Sequence, residues 1–271
     1  MPELISSRSN PLVRQARALR QHKARQETGL FLVEGIHHVG EAVAAGWEIE
    51  TLLYAPDLLT SDFARQLVDV ESRRGARVVA LARDLFADLA EKDNPQGIIA
   101  VVRQKHLTLE YMTPENFHFG AAVVSPQDPG NLGTILRTLD ATGADGLFLL
   151  DPLTGAGSGV ELYHPSVVRA SMGILFWKPV IQASFNDFVQ WARKNGIRLV
   201  GSSAHATTDY RNIQPAEVPT ILILGSEQKG LTPEQAAACE QVVSLPMRGR
   251  GSSLNLAVAA GVLLYALMGE K

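Results

Sequence analysis

The sequence predicts an α/β protein in two parts, a smaller α/β sandwich followed by a domain built on a parallel sheet. Two observations predict this class. Apolar runs with the length of buried strands alternate with segments of helical spacing, and a polar stretch at 103–117 interrupts the alternation once. The chain has 271 residues, 46% of them hydrophobic, which is enough for one large or two medium domains. We expect a first domain at 1–104, a linker at 105–117 and a second domain at 118–271.

The first part begins with a predicted basic helix over residues 1–26, whose thin apolar stripe contains Leu12, Ala16 and Leu19. Strands and helices then alternate, which is typical of an α/β sandwich of about 100 residues. The predicted strands cover residues 29–33, 49–54, 77–81 and 98–102. The predicted helices run through Val39 to Gly46, over 63–72 and over 84–91.

The second part repeats the alternation with longer helices. Its predicted strands cover residues 119–124, 147–150, 198–202, 220–224 and 241–245. Its predicted helices run from a cap at Asn131 to about Thr142, over 164–172, over 185–195 and over 254–268. A flexible glycine-rich loop is expected at 153–159, and Pro179-Val180 is expected to precede a turn.

The composition is that of an ordinary soluble protein. The single cysteine, Cys239, rules out an internal disulfide framework and indicates a reducing compartment, so we expect the cytoplasm. The N-terminus lacks a signal-peptide pattern. The longest apolar run, 254–268, is too short to span a bilayer and contains Asn255 and Gly261, so we expect no membrane association.

A basic arm stands out against the net charge of −3. Residues 1–25 carry six Lys or Arg and one acidic residue, Glu3. Such an arm is a candidate contact for nucleic acid. A solvated helix face explains the same residues equally well, so charge alone does not decide between the two interpretations.

Several familiar motifs are incomplete. Residues 225–230 resemble the start of a phosphate-binding loop, but Leu231 stands where that motif needs lysine. Residues 155–160 lack the third glycine of a dinucleotide fingerprint. No HExxH, GxSxG or paired His/Cys spacing occurs, so the sequence predicts neither a metal site nor a nucleophile elbow.

Three segments of the second part share one pattern: a strand, a glycine-bearing loop and a helix. They cover residues 123–137, 221–233 and 242–259. Ligands of open α/β sheets bind outside the carboxyl ends of the strands, so the three loops are expected to form one pocket. The polar side chains that they contribute are Asn131, Arg137, Ser226, Glu227, Ser252, Ser253 and Asn255. For the last loop alone, a tight turn before a core helix is an equally good interpretation.

The three loops carry ordered motifs. They are Asn131-x-Gly133-x-x-x-Arg137, Gly225-Ser226-Glu227-x-x-Gly230-Leu231 and Pro246-Met247-x-Gly249-x-x-Ser252-Ser253-Leu254-Asn255. Together with Val168-Arg169-Ala170-Ser171-Met172-Gly173, they resemble the SpoU/TrmH ribose methyltransferases of the SPOUT class. The first part resembles the substrate-binding extension of that family, a ribosomal-protein-like RNA-binding fold. That resemblance is carried by Ser7-x-x-Asn10-Pro11, Thr28-Gly29-x-Phe31-Leu32-Val33-Glu34-Gly35 and Pro95-Gln96-Gly97-Ile98.

The resemblance implies a fold, a cofactor and partners. The implied fold is a parallel sheet with a C-terminal trefoil knot, and the implied cofactor is S-adenosylmethionine. The residues implied to bind it are Ser202, Leu224, Gly225, Leu245, Met247 and Leu254. The family is dimeric and methylates ribose 2′-hydroxyls of ribosomal or transfer RNA, and the N-terminal domain favours ribosomal RNA. Trp177-Lys178 departs from the expected family pattern.

The implied catalytic set is Arg137, Asn131, Glu227, Ser253 and Asn255. In the family, the arginine of the first motif activates the 2′-hydroxyl. Guanidinium has a pKa above about 12 and stays protonated, so Arg137 is alternatively expected to hold the RNA phosphate. In either role, Asn131 and Glu227 are expected to orient it, while Ser253 and Asn255 order the pocket or the nucleotide.

The sequence therefore predicts an S-adenosylmethionine-dependent RNA 2′-O-methyltransferase. Alternatives are a transfer-RNA enzyme and an RNA-binding protein of the same fold without catalysis; the intact Arg137, Glu227 and Asn255 argue against the second. A nucleotide-dependent oxidoreductase lacks any fingerprint in this chain.

Overall fold

A computed structural model describes residues 4–91, 94–151 and 159–269 of the chain. The chain divides into two compact units, one formed by 1–105 with 161–177 and the other by 106–160 with 178–271. The predicted glycine-rich loop at 153–159 lies almost wholly outside the described residues. Within the described ranges, no helix is both long and apolar enough to cross a bilayer.

Strands and helices alternate through most of the chain, as predicted. The strands are β1 (Leu4–Ile5), β2 (Leu30–Glu34), β3 (Ile49–Tyr54), β4 (Arg77–Leu81), β5 (Ile98–Arg103), β6 (Phe119–Val124), β7 (Gly146–Asp151), β8 (Val180–Ser184), β9 (Arg198–Ser202), β10 (Thr208–Asp209), β11 (Thr220–Leu224) and β12 (Gln241–Ser244). The helices are α1 (Pro11–Ala18), α2 (His22–Thr28), α3 (Ile36–Ala44), α4 (Asp62–Arg74), α5 (Arg83–Leu89), α6 (Pro129–Ala141), α7 (Pro165–Ala170), α8 (Phe185–Lys194), α9 (Pro233–Ala237) and α10 (Leu256–Met268).

The first unit contains a mixed five-stranded sheet in the order β1-β4-β3-β5-β2. The prediction of one helix over residues 1–26 is wrong, because this stretch forms β1, α1 and α2. The Asn10 side chain accepts a hydrogen bond from the Leu12 N–H, and Pro11 occupies the first turn, so a helix begins there. Gly29 ends α2 in the left-handed conformation (φ 66°).

The segment 161–177 packs within the first unit, although its sequence lies between strands of the second. The Arg25 side chain is 1% exposed and donates from Nε to Glu161 Oε1 at 2.7 Å. Its Nη2 atom donates to the other carboxylate oxygen, and its Nη1 atom donates to the Leu19 and Arg20 carbonyls. The indole of Trp47 donates to the Phe176 carbonyl at 2.9 Å. A buried charge in this unit is therefore fully paired, which is the condition for burying it.

The second unit contains a seven-stranded parallel sheet in the order β10-β12-β9-β11-β6-β7-β8. The central strands β6 and β11 are buried along their whole length, as expected when both faces of a parallel sheet are covered. The predicted parallel-sheet α/β class is confirmed. The strands predicted from the sequence did not include β10 and β8, two short strands at the edges of the sheet. Edge strands are half exposed, so their apolar pattern is weak, and residues 179–180 lead into a strand rather than a turn.

Two helix starts differ from the prediction. Helix α6 begins at Pro129 with Asp128 as its cap, so Asn131 lies inside the first turn instead of capping it. Helix α10 begins at Leu256 with Asn255 as its cap, two residues later than predicted. Both shifts have the same cause, because Asp and Asn side chains accept from the free N–H groups of a helix start.

Candidate active site

The three motif loops leave one edge of the second sheet. Strands β12, β9, β11 and β6 are neighbours and run parallel. Their carboxyl ends therefore meet, and the chain leaves them at Ser125, Gly225 and Leu245. This is the position where open α/β sheets bind ligands. The three loops that the sequence predicts to form one pocket therefore begin at the same end of the sheet.

Asp128 builds the first of these loops. Its Oδ1 atom accepts from the Gly130 N–H at 2.6 Å and from the Asn131 N–H at 3.1 Å. Pro129 fits the first turn, where a proline needs no hydrogen-bond donor. Asn131 is consequently fixed in a helical first turn and is buried. Sequence reasoning missed Asp128, although an Asp-Pro pair before an apolar helix is a cap signal.

Asn131 is the centre of a hydrogen-bond network that joins the three motifs. Its Nδ2 atom donates to Glu227 Oε1 at 3.2 Å, and its Oδ1 atom accepts from Asn255 Nδ2 at 2.8 Å. Asn255 Oδ1 in turn accepts from the Ala257 and Val258 N–H groups at the start of α10. One buried side chain thus links the loops after β6, β11 and β12.

Glu227 ties the second loop to the first through backbone groups. Its Oε2 atom accepts from the Gln127 N–H at 2.9 Å, and its Oε1 atom accepts from the Asp128 N–H at 3.3 Å. Together with Asn131, these donors satisfy the carboxylate and hold it as an acceptor. Glu227, which lies in the second loop, therefore holds the backbone of the first loop in place.

Arg137 stands apart from this network. It lies on α6 and is exposed, while Leu132, Ile135, Leu136 and Leu139 of the same helix are buried. Within the described part of the chain, its guanidinium has no hydrogen bond or ion pair. The expected orientation of Arg137 by Asn131 and Glu227 is therefore not seen as a direct contact, and the guanidinium is available to a ligand.

The remaining predicted residues lie around the same edge. Ser253 is exposed, and in the described residues its side chain makes no hydrogen bond. Leu224 is buried at the end of β11, Ser202 and Leu245 are half-buried, and Met247 and Leu254 are exposed apolar side chains. Exposed large apolar side chains beside strand-end backbone form a surface that an apolar ring can cover.

Gly225 has no room for a side chain. A Cβ atom at this position would overlap the backbone of Gly230 and Leu231. Gly230 itself has φ 63°, and its N–H donates to the Ser226 carbonyl at 2.8 Å. The glycine is required because the loop after β11 folds back tightly onto its own start, which sequence spacing does not reveal.

Ser125 is a further unusual residue at this edge. It follows β6 with φ 46°, and its Oγ atom is buried without a hydrogen-bond partner in the described structure. A non-glycine residue in this conformation is uncommon, and such strain concentrates at ligand sites. No sequence signal marks it. No group of acidic, His or Cys side chains in the described ranges has the arrangement of a metal site.

Comparisons with known proteins agree with the geometry. A sequence profile of the SpoU rRNA Methylase family matches residues 119–265, and a profile of the MRM3-like substrate binding domain matches 10–100. A 23S rRNA (uridine(2479)-2′-O)-methyltransferase of Streptomyces viridochromogenes is 34% identical, over 98% of this chain and 92% of that protein. The 23S rRNA (guanosine(2553)-2′-O)-methyltransferase RlmP of Bacillus subtilis is 31% identical, over 98% of this chain and 99% of its own length.

A solved structure shows the same likeness across both units. The AdoMet-bound rRNA methyltransferase of Sinorhizobium meliloti has a TM-score of 0.87 and 34% identity, covering 98% of this chain and 97% of that one. The resemblance drawn from the motifs is confirmed: the chain belongs to the SpoU rRNA methylase family.

Proposed function

We propose that this chain transfers a methyl group from S-adenosylmethionine to a ribose 2′-hydroxyl of 23S ribosomal RNA, acting in the cytoplasm. The observation that carries the proposal is the Asn131 network, which joins the three family motifs at the carboxyl ends of neighbouring strands. Arg137, on the helix that contains Asn131, is exposed and has no ion pair among the described residues. Relatives of nearly full length are named as 23S rRNA 2′-O-methyltransferases. Their names specify uridine in one case and guanosine in the other, so the shared motifs do not determine the target base.

The sheet edge fits the cofactor. Exposed Met247 and Leu254 offer apolar cover for an adenine ring, while Ser202 and the backbone around Gly225 and Leu245 offer polar groups. We assign these residues, with Leu224 beneath them, to cofactor binding. When bound, S-adenosylmethionine supplies an electrophilic methyl group. We further propose that the loops after β11 and β12 belong to the trefoil knot typical of the family.

The contribution of the protein to the reaction is mainly positioning. We propose that Arg137 holds a phosphate of the target nucleotide through its planar fork, with Ser253 as a further contact to the nucleotide. The phosphate then accepts a hydrogen bond from the 2′-hydroxyl, orients its lone pair and takes up the proton that the hydroxyl loses when its oxygen is methylated. Asn131, Glu227 and Asn255 keep the three loops in register, so that the hydroxyl and the methyl donor meet at reacting distance.

The test is methyl transfer from labelled S-adenosylmethionine to ribosomal RNA lacking the modification. Arg137→Ala is expected to lower the rate at least about 100-fold, because misplaced reactants lose that much. Cofactor affinity and thermal unfolding are expected to stay unchanged, since Arg137 is exposed and makes no hydrogen bond or ion pair with the residues that the structure describes. Arg137→Lys keeps the charge without the fork and recovers only part of the rate.

The control is Arg193→Ala, which removes another exposed helical arginine of the second unit and leaves the rate unchanged. Wild-type turnover by Arg137→Ala would show that Arg137 is structural. Full activity of Arg137→Lys would mean that a point charge suffices and that the bidentate role is wrong.

We propose that residues 1–104 recognise the RNA. Arg14 and Arg17 are three residues apart on α1, and both are exposed. In the described structure they have no acidic partner, whereas Arg8 pairs with Asp88 and Lys23 pairs with Glu27. Unpaired arginines on one helical face are suited to phosphate contacts. The substrate-binding profile that matches 10–100 supports the assignment.

A further inference from the structure

Trp177 is held at the surface of the first unit by one carboxylate. Its ring is 51% exposed, and its Nε1–H donates to Glu41 Oε2 at 2.6 Å. Lys178, the next residue, is anchored elsewhere, with its Nζ atom donating to the Ala144 carbonyl at 2.8 Å. This pair is the departure from the family pattern that the sequence shows, and the two side chains have separate contacts.

The turn that precedes Trp177 lies against the aliphatic part of the Glu41 side chain. Met172 has φ 52°, and Gly173 has φ 89°. A Cβ atom on Gly173 would overlap Glu41 Cγ, so glycine is required there. The Met172 carbonyl can only accept, so the His37 Nε2–H donates to it at 3.0 Å, and His37 Nδ1 lies 3.9 Å from Glu41 Oε1. The Glu41 side chain therefore lies against the indole of Trp177, the ring of His37 and the turn at Gly173.

This arrangement fixes an aromatic face toward solvent. The hydrogen bond to Glu41 restrains the indole by one edge, and the exposed Met172 (47%) belongs to the same turn. A restrained ring loses little conformational freedom when a ligand covers it, which favours binding. Single exposed apolar residues are common, but this ring is also held by a hydrogen bond to a carboxylate and follows a turn in which Met172, a non-glycine residue, has a positive φ.

We infer that Trp177 is a stacking platform for an unpaired base of the RNA substrate. The inference rests on the proposed function. RNA-binding proteins recognise single-stranded nucleotides by stacking bases on aromatic side chains. The Glu41 carboxylate beside the ring repels phosphates, so the occupant is a base and not the sugar–phosphate backbone. Trp177 then contributes to the choice of RNA, separately from the cofactor and from Arg137.

The first test is tryptophan fluorescence of the full-length protein titrated with a short oligoadenylate. The chain has three tryptophans, of which Trp47 is buried, Trp191 is half-buried and Trp177 is exposed. Stacking on Trp177 is expected to quench the emission. Trp177→Phe should abolish most of the quenching, because it removes the exposed fluorophore. Equal quenching in this variant would overturn the inference.

The second test compares affinities for ribosomal RNA. Trp177→Ala is expected to weaken binding about 5- to 160-fold, the range for loss of one stacked base, and to raise KM more than it lowers kcat. Trp177→Phe keeps a ring and restores most of the affinity. The matched control is Phe63→Ala, another exposed aromatic residue of the first unit.

The outcomes separate this inference from the proposed function. Quenching and RNA affinity need no methyl transfer, so they judge Trp177 even if turnover is absent. An active wild type whose Trp177→Ala variant binds RNA normally would refute the platform alone. A Trp177→Ala variant that changes its sedimentation and keeps its RNA affinity would assign this face to a protein partner and would also refute it.

Discussion

At the scale of single residues, the structure gives a different physical reason for the glycine at position 225. The resemblance implies that this glycine binds the cofactor. In the structure, a side chain at 225 would meet the protein's own backbone at Gly230 and Leu231. At Gly249, in contrast, the described residues other than its chain neighbours leave open space where a Cβ atom would lie. Steric overlap within the protein therefore explains the glycine at position 225 but not the glycine at position 249.

We predict that Gly225→Ala lowers the free energy of unfolding by about 1–3 kcal/mol, as overpacking usually does, and abolishes cofactor binding with it. Gly249→Ala should leave stability unchanged. Thermal unfolding and calorimetry with S-adenosylmethionine measure both effects. Normal stability of Gly225→Ala would show that the loop after β11 relaxes, and the proposed reason for the glycine would fail.

At the scale of elements, α10 has two kinds of face. Ala257, Ala260, Leu263, Leu264 and Leu267 are buried. Val258, Val262 and Tyr265 are exposed and follow the spacing of one helical stripe. A monomer rarely leaves such a stripe open, so we propose that a second copy of the chain covers it. The resemblance to a dimeric family implies a homodimer as well.

We predict that the wild type sediments with about twice the chain mass of 29.3 kDa. Val262→Glu should give monomers, because it places a charge in the centre of the stripe. The control is Val218→Glu, the same change at an exposed valine outside α10, which should stay dimeric. A monomeric wild type at micromolar concentration would contradict the proposal.

At the scale of the whole molecule, the two units are not separable by one cut. Residues 161–177 carry buried side chains, among them Val167, Leu175 and Phe176, that pack in the first unit. A chain truncated to begin at residue 106 would keep residues 161–177 but lose the rest of the first unit, against which they pack. RNA recognition by the first unit is therefore better tested in the full chain.

We predict that Arg14→Gln with Arg17→Gln weakens RNA binding and lowers the log–log salt slope by about 1.4, since each contact to a single-stranded phosphate contributes roughly 0.7. Arg73→Gln, which changes an exposed arginine of α4, serves as the control. Filter binding over a range of salt concentrations measures the slope. An unchanged slope would remove α1 from the RNA interface.

The sequence by itself determined the fold class, the order of the central strands along the chain and the family. Buried strands such as β5 and β11 are recognisable because a run of apolar residues is visible in the sequence without knowledge of what packs against it. The motifs that contain Asn131, Glu227 and Asn255 were recognisable because tight glycine-bearing loops and the first turns of helices accept only a few residue types at each position. The edge strands β1, β8 and β10 were missed because half-exposed strands carry little pattern.

Only the tertiary structure decided which side chains meet. Asn131 contacts Asn255 across 124 positions of sequence, and Arg25 pairs with Glu161 across 136. Neither pairing has a local signal, because hydrogen bonds between distant residues depend on how the sheets and helices pack. The same holds for the segment 161–177, whose sequence lies among the strands of one unit while its apolar side chains are buried in the other. Burial of those side chains, and not their place in the chain, determines the unit to which they belong.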